Sequence, residues 1–274
     1  MSAIELKGLV DLHIHTSPDI RPRYADDIDA ARAAAEAGLR AILIKSHWTL
    51  TADRATIAER VVGGIRVFGG LALNSTVGWI NPRAVEVALR MGAKEIWMPT
   101  LDLAGPGGFR VRRPLIAVPD GAPRPEVTQI LDLVREADAI LGTGHLSVPE
   151  IVQLVRTARD RGLRKILVTH PEASFIGMPV SVQKAIRAEG VYFERCFNGL
   201  GPQDPAGVTL GELARRIRDV GVESTVLSSD YGQADHPSPS EGLRRFLIAL
   251  QAQGFSRAEL ERMAGENPAH LLGL

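Results

Sequence analysis

The chain has 274 residues, 45% of them hydrophobic and 23% charged, which is ordinary globular composition with enough apolar material for one sizeable core. Lys plus Arg and Asp plus Glu number 32 each, so net charge gives no reason to expect nucleic acid or a membrane surface as partner. The single cysteine, Cys196, excludes an internal disulfide framework, and no run reaches the roughly 18 apolar residues of a membrane span.

Short apolar runs alternate with helical patterns along the chain. The runs cover 9–14, 41–44, 67–73, 94–98, 139–141, 165–168, 191–193 and 224–227, and they predict eight strands. Several are continuously apolar, as expected of parallel strands buried on both faces. Asp26-Asp27 opens an Ala-rich helix ending at Gly38, Asn81-Pro82 opens another ending at Gly92, and Val148-Pro149-Glu150 opens a third ending at Gly162. A last helix is expected near 256–265, before the terminal NPAHLLGL. Strand–helix alternation calls for right-handed crossovers, and eight such units close a (β/α)8 TIM barrel, read as one domain over 1–274. The fourth and fifth strands are separated by the longest interval, because 101–125 inserts a segment with four Gly and five Pro. This segment follows a strand and is expected over the active-site face. The N-terminus shows no basic segment followed by a long apolar stretch, so the protein is expected to be cytoplasmic.

Five of the seven histidines fall at or just past strand ends: His13 and His15 in VDLHIH, His47 in LIKSH, His145 in GTGHLS and His170 in LVTHPE. Asp230, in VLSSD, ends the eighth strand. In a barrel this is the face that carries active sites. His13 and His15 are two apart, so both imidazoles project to one side and can meet one cation. Imidazole and carboxylate together suit a divalent metal, zinc first, with manganese, iron or nickel as alternatives.

VDLHIHTSPD resembles the first-strand signature of the amidohydrolase superfamily and of the related phosphoesterases of the polymerase and histidinol phosphatase family. His145, His170 and Asp230 match the fifth-, sixth- and eighth-strand ligand positions of amidohydrolases, and ENPAHLLGL looks like an ending frequent there. The resemblance spans nearly the whole chain and is greatest to a poorly characterised group sharing runs like LKSH, KxxWMPT and TGHLS. It implies that His13, His15 and Asp230 bind a buried metal. His145 and His170 would complete that site or contact a second ion, for one or two ions in all. Asp230 would also take a proton from a metal-activated water and pass it to the leaving group.

The fourth strand departs from the pattern. Many amidohydrolases carry a bridging carboxylated lysine or glutamate there, whereas here the strand ends in Pro99 and Thr100, with Lys94 and Glu95 several residues too low. Lys45, at the end of the second strand, is the replacement considered, as a carbamate, a base or a cation. His47 is a possible further ligand, because a second-strand histidine binds metal in the phosphoesterase branch. Glu194 and Asn198 are candidates to orient a ligand or to make a barrel-mouth hydrogen bond. Arg110, Arg112 and Arg113 in the long loop are expected to recognise an anionic group on a small-molecule substrate. The function implied is metal-dependent hydrolysis of an amide, cyclic amide, lactone or ester. The alternatives are a phosphoesterase, a decarboxylase or other lyase on the same site, and a metal-binding protein without catalysis. A homo-oligomer is expected from the fold alone.

Overall fold

The structure, a computed structural model, describes residues 4–101, 116, 121–200 and 204–274. Eight parallel strands form one sheet in sequential order: β1 (Val10–Ile14), β2 (Ala41–Ile44), β3 (Arg66–Ala72), β4 (Glu95–Trp97), β5 (Ile140–Gly142), β6 (Ile166–Thr169), β7 (Tyr192–Cys196) and β8 (Thr225–Ser228). A parallel bridge between Ile14 and Tyr231 joins the last strand's end to the first, and the bonds from Asp230 N to His13 O and from His15 N to Tyr231 O close the ring. The eight-strand α/β barrel read from the apolar runs is the fold observed.

Helices follow each strand: α1 (Asp27–Glu36), α2 (Ala52–Val62), α3 (Pro82–Arg90), α4 (Pro125–Glu136), α5 (Val148–Asp160), α6 (Val180–Arg187), α7 (Leu210–Val220) and α8 (Pro239–Ala252). Their boundaries follow local chemistry. The Asp26 side chain accepts from Asp29 N at the start of α1, and the Asn81 side chain accepts from Arg83 N and Ala84 N at the start of α3. Glu150 accepts from Ser147 N at 3.2 Å, completing a capping box at the start of α5. At the C-terminus, α9 (Arg257–Glu261) runs through a π-helical turn into α10 (Asn267–Leu272). The terminal NPAHLL is therefore helical, where the sequence pattern placed the helix end before it; Pro268 lies in the first turn of α10, where a missing N–H costs little.

Strand parity sorts the barrel into layers. Ile42, Ile44 and Val67 face the helices, while Ala41, Leu43, Phe68, Trp97, Ile140, Leu167 and Val226 form one cluster with Leu271 and Leu272 of α10. The latter group fills the N-terminal end of the barrel, with α10 as its floor. The β1–β2 register shifts between Asp11 and Ile14, which marks a bulge. The bulge lets Leu12 pack into the lower interior while His13 and His15 both reach the upper end. It also breaks the simple two-residue relation between Asp11 and His13 that strand alternation alone would give. The Asp11 carboxylate instead accepts from the backbone N–H groups of His13 and Ser229, tying β1 to β8.

Strand β7 continues to Cys196, beyond the predicted apolar run. Glu194 and Arg195 are the reason the run looked shorter, yet each is only 1% exposed. Arg195 points to the helix layer, where it pairs with Glu172 and donates to the Gln183 side chain at 3.0 Å. Glu194 points into the barrel.

Candidate metal centre

Three donor atoms converge at the C-terminal mouth. His13 Nε2 lies 3.1 Å and His15 Nε2 3.2 Å from the same oxygen, Asp230 Oδ1. His170 Nε2 lies 3.8 Å from the other carboxylate oxygen, and Asn198 Nδ2 donates to that oxygen at 3.3 Å. His13, His15 and Asp230 thus form one group able to hold an ion, and His13, His170 and Cys196 form a second. Burial raises the Cys196 thiol well above its ordinary pKa, favouring the protonated form, which is a poor ligand. The nitrogen–oxygen set is the better cation site.

Backbone geometry aims two of these side chains. Asp230 (φ 53°) and His170 (φ 50°) occupy the left-handed region, which costs a non-glycine residue on the order of 1 kcal/mol or more. Just before His145, Gly144 has φ 56°, and a Cβ there would lie 2.1 Å from Met98 O. Only glycine lets the chain turn so tightly at the end of β5.

Glu194 orients His13. Its Oε2 is 3.2 Å from His13 Nδ1, and its Oε1 accepts from Ser228 Oγ at 2.9 Å. A proton on Nδ1 shared with this carboxylate leaves the Nε2 lone pair facing the cavity, the arrangement found behind metal-binding histidines. The Lys45 ammonium already uses that lone pair, at 3.0 Å. The chain therefore places a cation of its own where the donor set invites one.

The electrostatics fit the same reading. Burial, opposed by Asp230, lowers the pKa of His15 to about 4, and burial lowers that of His170 to about 4. Burial and then the Lys45 charge push His145 well below the ordinary value. These rings are neutral at pH 7, as ligands must be. Burial acts to raise Asp230, but His13, His15 and His170 outweigh it and hold the carboxyl ionised. Among the described residues, His15 Nδ1 and His145 Nε2 are buried without a hydrogen-bond partner, which leaves donor capacity beside the cluster. The residues present therefore fit a divalent cation.

His47 stacks on His15 with ring centroids 5.0 Å apart, and its Nδ1 meets Thr100 Oγ1 at 2.8 Å. Asn74, whose Asn-Ser-Thr setting matches a glycosylation pattern and gives no hint of this role, braces this corner by donating to Thr100 Oγ1 and to His47 O, both at 2.8 Å. For a role at the mouth its signal is an apolar strand ending in a polar residue. Glu95 faces the barrel interior below the site, fully buried and with neither oxygen partnered among the described residues; it reaches none of the converging donors. Burial and the nearby Glu194 raise its pKa well above the usual carboxylate range.

A cavity of about 260 Å³ opens above the cluster, lined by Lys45, His47, His145, His170, Asp230 and residues of the surrounding loops. Leu101, at the root of the long segment, also lines it. Arg110, Arg112 and Arg113 lie outside the described residues. Trp48 is not among the lining side chains and instead donates to Asp19 at 3.0 Å.

Comparison with known proteins agrees with the architecture. A model of a family of unknown function, DUF6282, matches residues 8–194. No curated protein matches the chain. Among solved structures, an amidohydrolase from Pseudomonas aeruginosa superposes with a TM-score of 0.67 at 11% identity, over 97% of this chain and 95% of that one. A metallopeptidase, the dipeptidase AC, gives 0.64 at 13% identity over 98% of both chains. A mutant organophosphorus hydrolase from Deinococcus radiodurans gives 0.60 at 14% identity, over 99% of this chain and 95% of that one. At these identities the likeness is one of fold, the eight-stranded α/β barrel. The chain shares its barrel fold with these three proteins, and it belongs to DUF6282, a family of unknown function.

Proposed function

We propose that this protein is a metal-dependent hydrolase of a small molecule, acting on an amide, cyclic amide, lactone or related ester. The observation that carries this reading is the convergence of His13 Nε2, His15 Nε2 and Asp230 Oδ1 at the mouth, with Asp230 Oδ2 turned toward His170 and the cavity. His13, His15 and Asp230 would hold a divalent cation, zinc by ligand type, with His170 beside it and His145 at the cavity wall. When bound, such an ion acidifies a coordinated water to a pKa of roughly 7 and polarises a carbonyl.

The chain's own groups supply the rest. Asp230 stays ionised, so its second oxygen can accept a proton from water and return it to the leaving group. Asn198 holds that oxygen in place. Glu194 keeps His13 in the tautomer that presents Nε2. Lys45 supplies positive charge where a carbonyl oxygen would turn anionic, and burial lowers its pKa.

The phosphoesterase alternative has one observation in its favour, the stacking of His47 on His15, which brings a further imidazole beside the cluster. One experiment addresses both readings: metal analysis of protein purified without added metal, followed by turnover assays on lactones, cyclic amides and phosphomonoesters. Stoichiometric metal with lactone or amide turnover supports the first reading. Turnover of phosphomonoesters alone would replace it with the second, and protein that takes up no metal would sink both.

A further inference from the structure

The rim of the cavity carries two side chains that the ion-binding cluster does not use, Arg21 and Phe175. Both line the same cavity as Asp230, His145 and His170, Arg21 and Phe175 standing at its outer edge. Arg21 is exposed, and its guanidinium makes no ion pair among the described residues, although Asp204 lines the same cavity. Phe175 is 61% exposed, a large apolar ring left in water at the mouth. Its ring lies 4.8 Å from that of His145 and 6.3 Å from that of His170, so it extends the wall of the cluster outward.

Neither side chain sits on a loose backbone. Asp19, whose side chain is only 1% exposed, accepts from Arg21 N at 3.0 Å, from the Arg23 guanidinium at 2.8 and 3.0 Å, and from Trp48 Nε1 at 3.0 Å. Tyr24 N–H donates to Gly232 O, tying the same loop to the segment after β8. Ser174 N–H donates to Asp204 Oδ2 at 2.7 Å, and Ile176 and Gly177 donate to Ala173 O, which fixes the turn carrying Phe175. The backbone is held while the functional tips remain free, which reduces the ordering cost of binding. Asp204 is a second carboxylate at the rim, but its Oδ2 is used by the Phe175 turn and it does not pair with Arg21.

A planar guanidinium without a partner binds a carboxylate through two parallel hydrogen bonds, and an exposed ring offers a flat apolar face. We propose that the substrate is a small amphipathic carboxylate, its carboxylate held by Arg21 and its apolar or aromatic portion laid on Phe175, with the scissile group directed down to His13, His15 and Asp230. This rests on the hydrolase reading above. It assigns anion recognition to the loop after β1.

The test is calorimetric titration of zinc-loaded protein with 3-phenylpropanoate and with its neutral counterpart 3-phenylpropanamide, with zinc content measured on each sample. The acid is expected to bind at least tenfold tighter than the amide. Arg21→Met should bring the acid to the level of the amide and leave amide binding unchanged, Arg21→Lys should retain part of the preference, and Phe175→Ala should weaken both ligands severalfold. Zinc content should stay at the parent value in all three variants. A preference for the acid that survives Arg21→Met belongs to the metal and overturns the proposal. Absence of acid binding by the zinc-loaded parent at about 10 mM overturns it too, because that concentration is roughly tenfold above the weak, millimolar end of ordinary enzyme–substrate affinity. Should the protein take up no zinc yet show an acid preference that depends on Arg21, the hydrolase reading fails while the carboxylate subsite stands.

Discussion

At the N-terminal end of the barrel the interior is filled by Val10, Leu12, Leu43, Phe68, Leu167 and Val226 and floored by Leu271 and Leu272. A few residues further along the same strands, the interior holds His13, His15, Lys45, Glu194, His170 and Asp230, nearly all fully buried. The lower end removes apolar surface from water, which stabilises the fold by about 25 cal/mol per Å². The upper end does the reverse: it withholds solvent from charges and keeps imidazoles neutral that water would protonate more readily. Left-handed backbone at His170 and Asp230 adds to that cost. The difference separates a half built for stability from a half where stability is given up to gather imidazoles and charges at one mouth, and this division can be attacked from either side.

The largest effect belongs to the upper end. Asp230→Asn keeps an oxygen toward the cation but cannot take a proton at neutral pH, so kcat should fall by about 10²–10⁴ while the unfolding midpoint holds or rises. Steady-state kinetics on whichever substrate the screen finds, with parallel thermal melts, decides this; near-parental kcat would mean another group is the base. Replacing His13 and His15 together by Ala should bring metal content close to zero with the circular dichroism spectrum retained. At the lower end, Leu271→Ala removes a floor residue that is 1% exposed. It should cost about 2–4 kcal/mol in denaturant unfolding and leave metal stoichiometry untouched. If it also emptied the site, the two halves would not be separable.

Lys45 lies on the boundary, two residues above Leu43 on β2. Its Nζ lies 3.0 Å from His13 Nε2, so it would have to yield to an ion held by that nitrogen. Lys45→Met is therefore expected to tighten zinc binding by up to about tenfold, roughly 1.4 kcal/mol, as measured by competition with a chromogenic chelator. Weaker binding would show instead that the lysine is itself part of the ligand set.

The strands were legible because both faces are buried and their apolar runs are continuous; β2 was placed to the residue. That His13, His15, His145, His170 and Asp230 converge was legible because they end four strands, β1, β5, β6 and β8, and the barrel brings such ends to one mouth. Three things were hidden. The bulge in β1 leaves no mark in the sequence of Leu12, His13 and His15. The charged end of β7 looked like a loop, because Glu194 and Arg195 are buried against partners distant in sequence, Glu194 against Ser228 and His13 at separations of 34 and 181 residues, and Arg195 against Glu172 at 23. Arg21 and Phe175 carry no sequence signal, since an arginine or phenylalanine in a loop is ordinary until the cavity beneath it is seen.

The smallest expected effect concerns how charges behave at the lower end, where they sit in water. Arg218 of α7 pairs with Glu259 of α9, donates to Gly254 O at 2.9 Å, and lies 3.8 Å over the Phe255 ring. Glu259 also accepts from Ser256 N and Ser256 Oγ, both at 2.8 Å, at the start of α9. The Arg218 pairing first, and then the Ser256 bonds, lower the Glu259 pKa to about 2. Because the folded value lies below the unfolded one, the contribution is complete above the unfolded pKa of about 4.3 and is lost as pH falls from there to about 2. With side-chain exposures of 44% for Arg218 and 28% for Glu259, solvent screening reduces the pair to about 0.5–1 kcal/mol. Glu259→Gln keeps an acceptor oxygen for Ser256 but removes the charge. Denaturant unfolding should show the variant less stable than the parent by that amount at pH 7, with the gap closing toward pH 2 and shrinking in high salt. Zinc content should be identical in the two proteins. A gap that persists unchanged at pH 2 would mean that the glutamine disturbs the α9 cap, and that the ion pair contributes nothing at this end of the barrel.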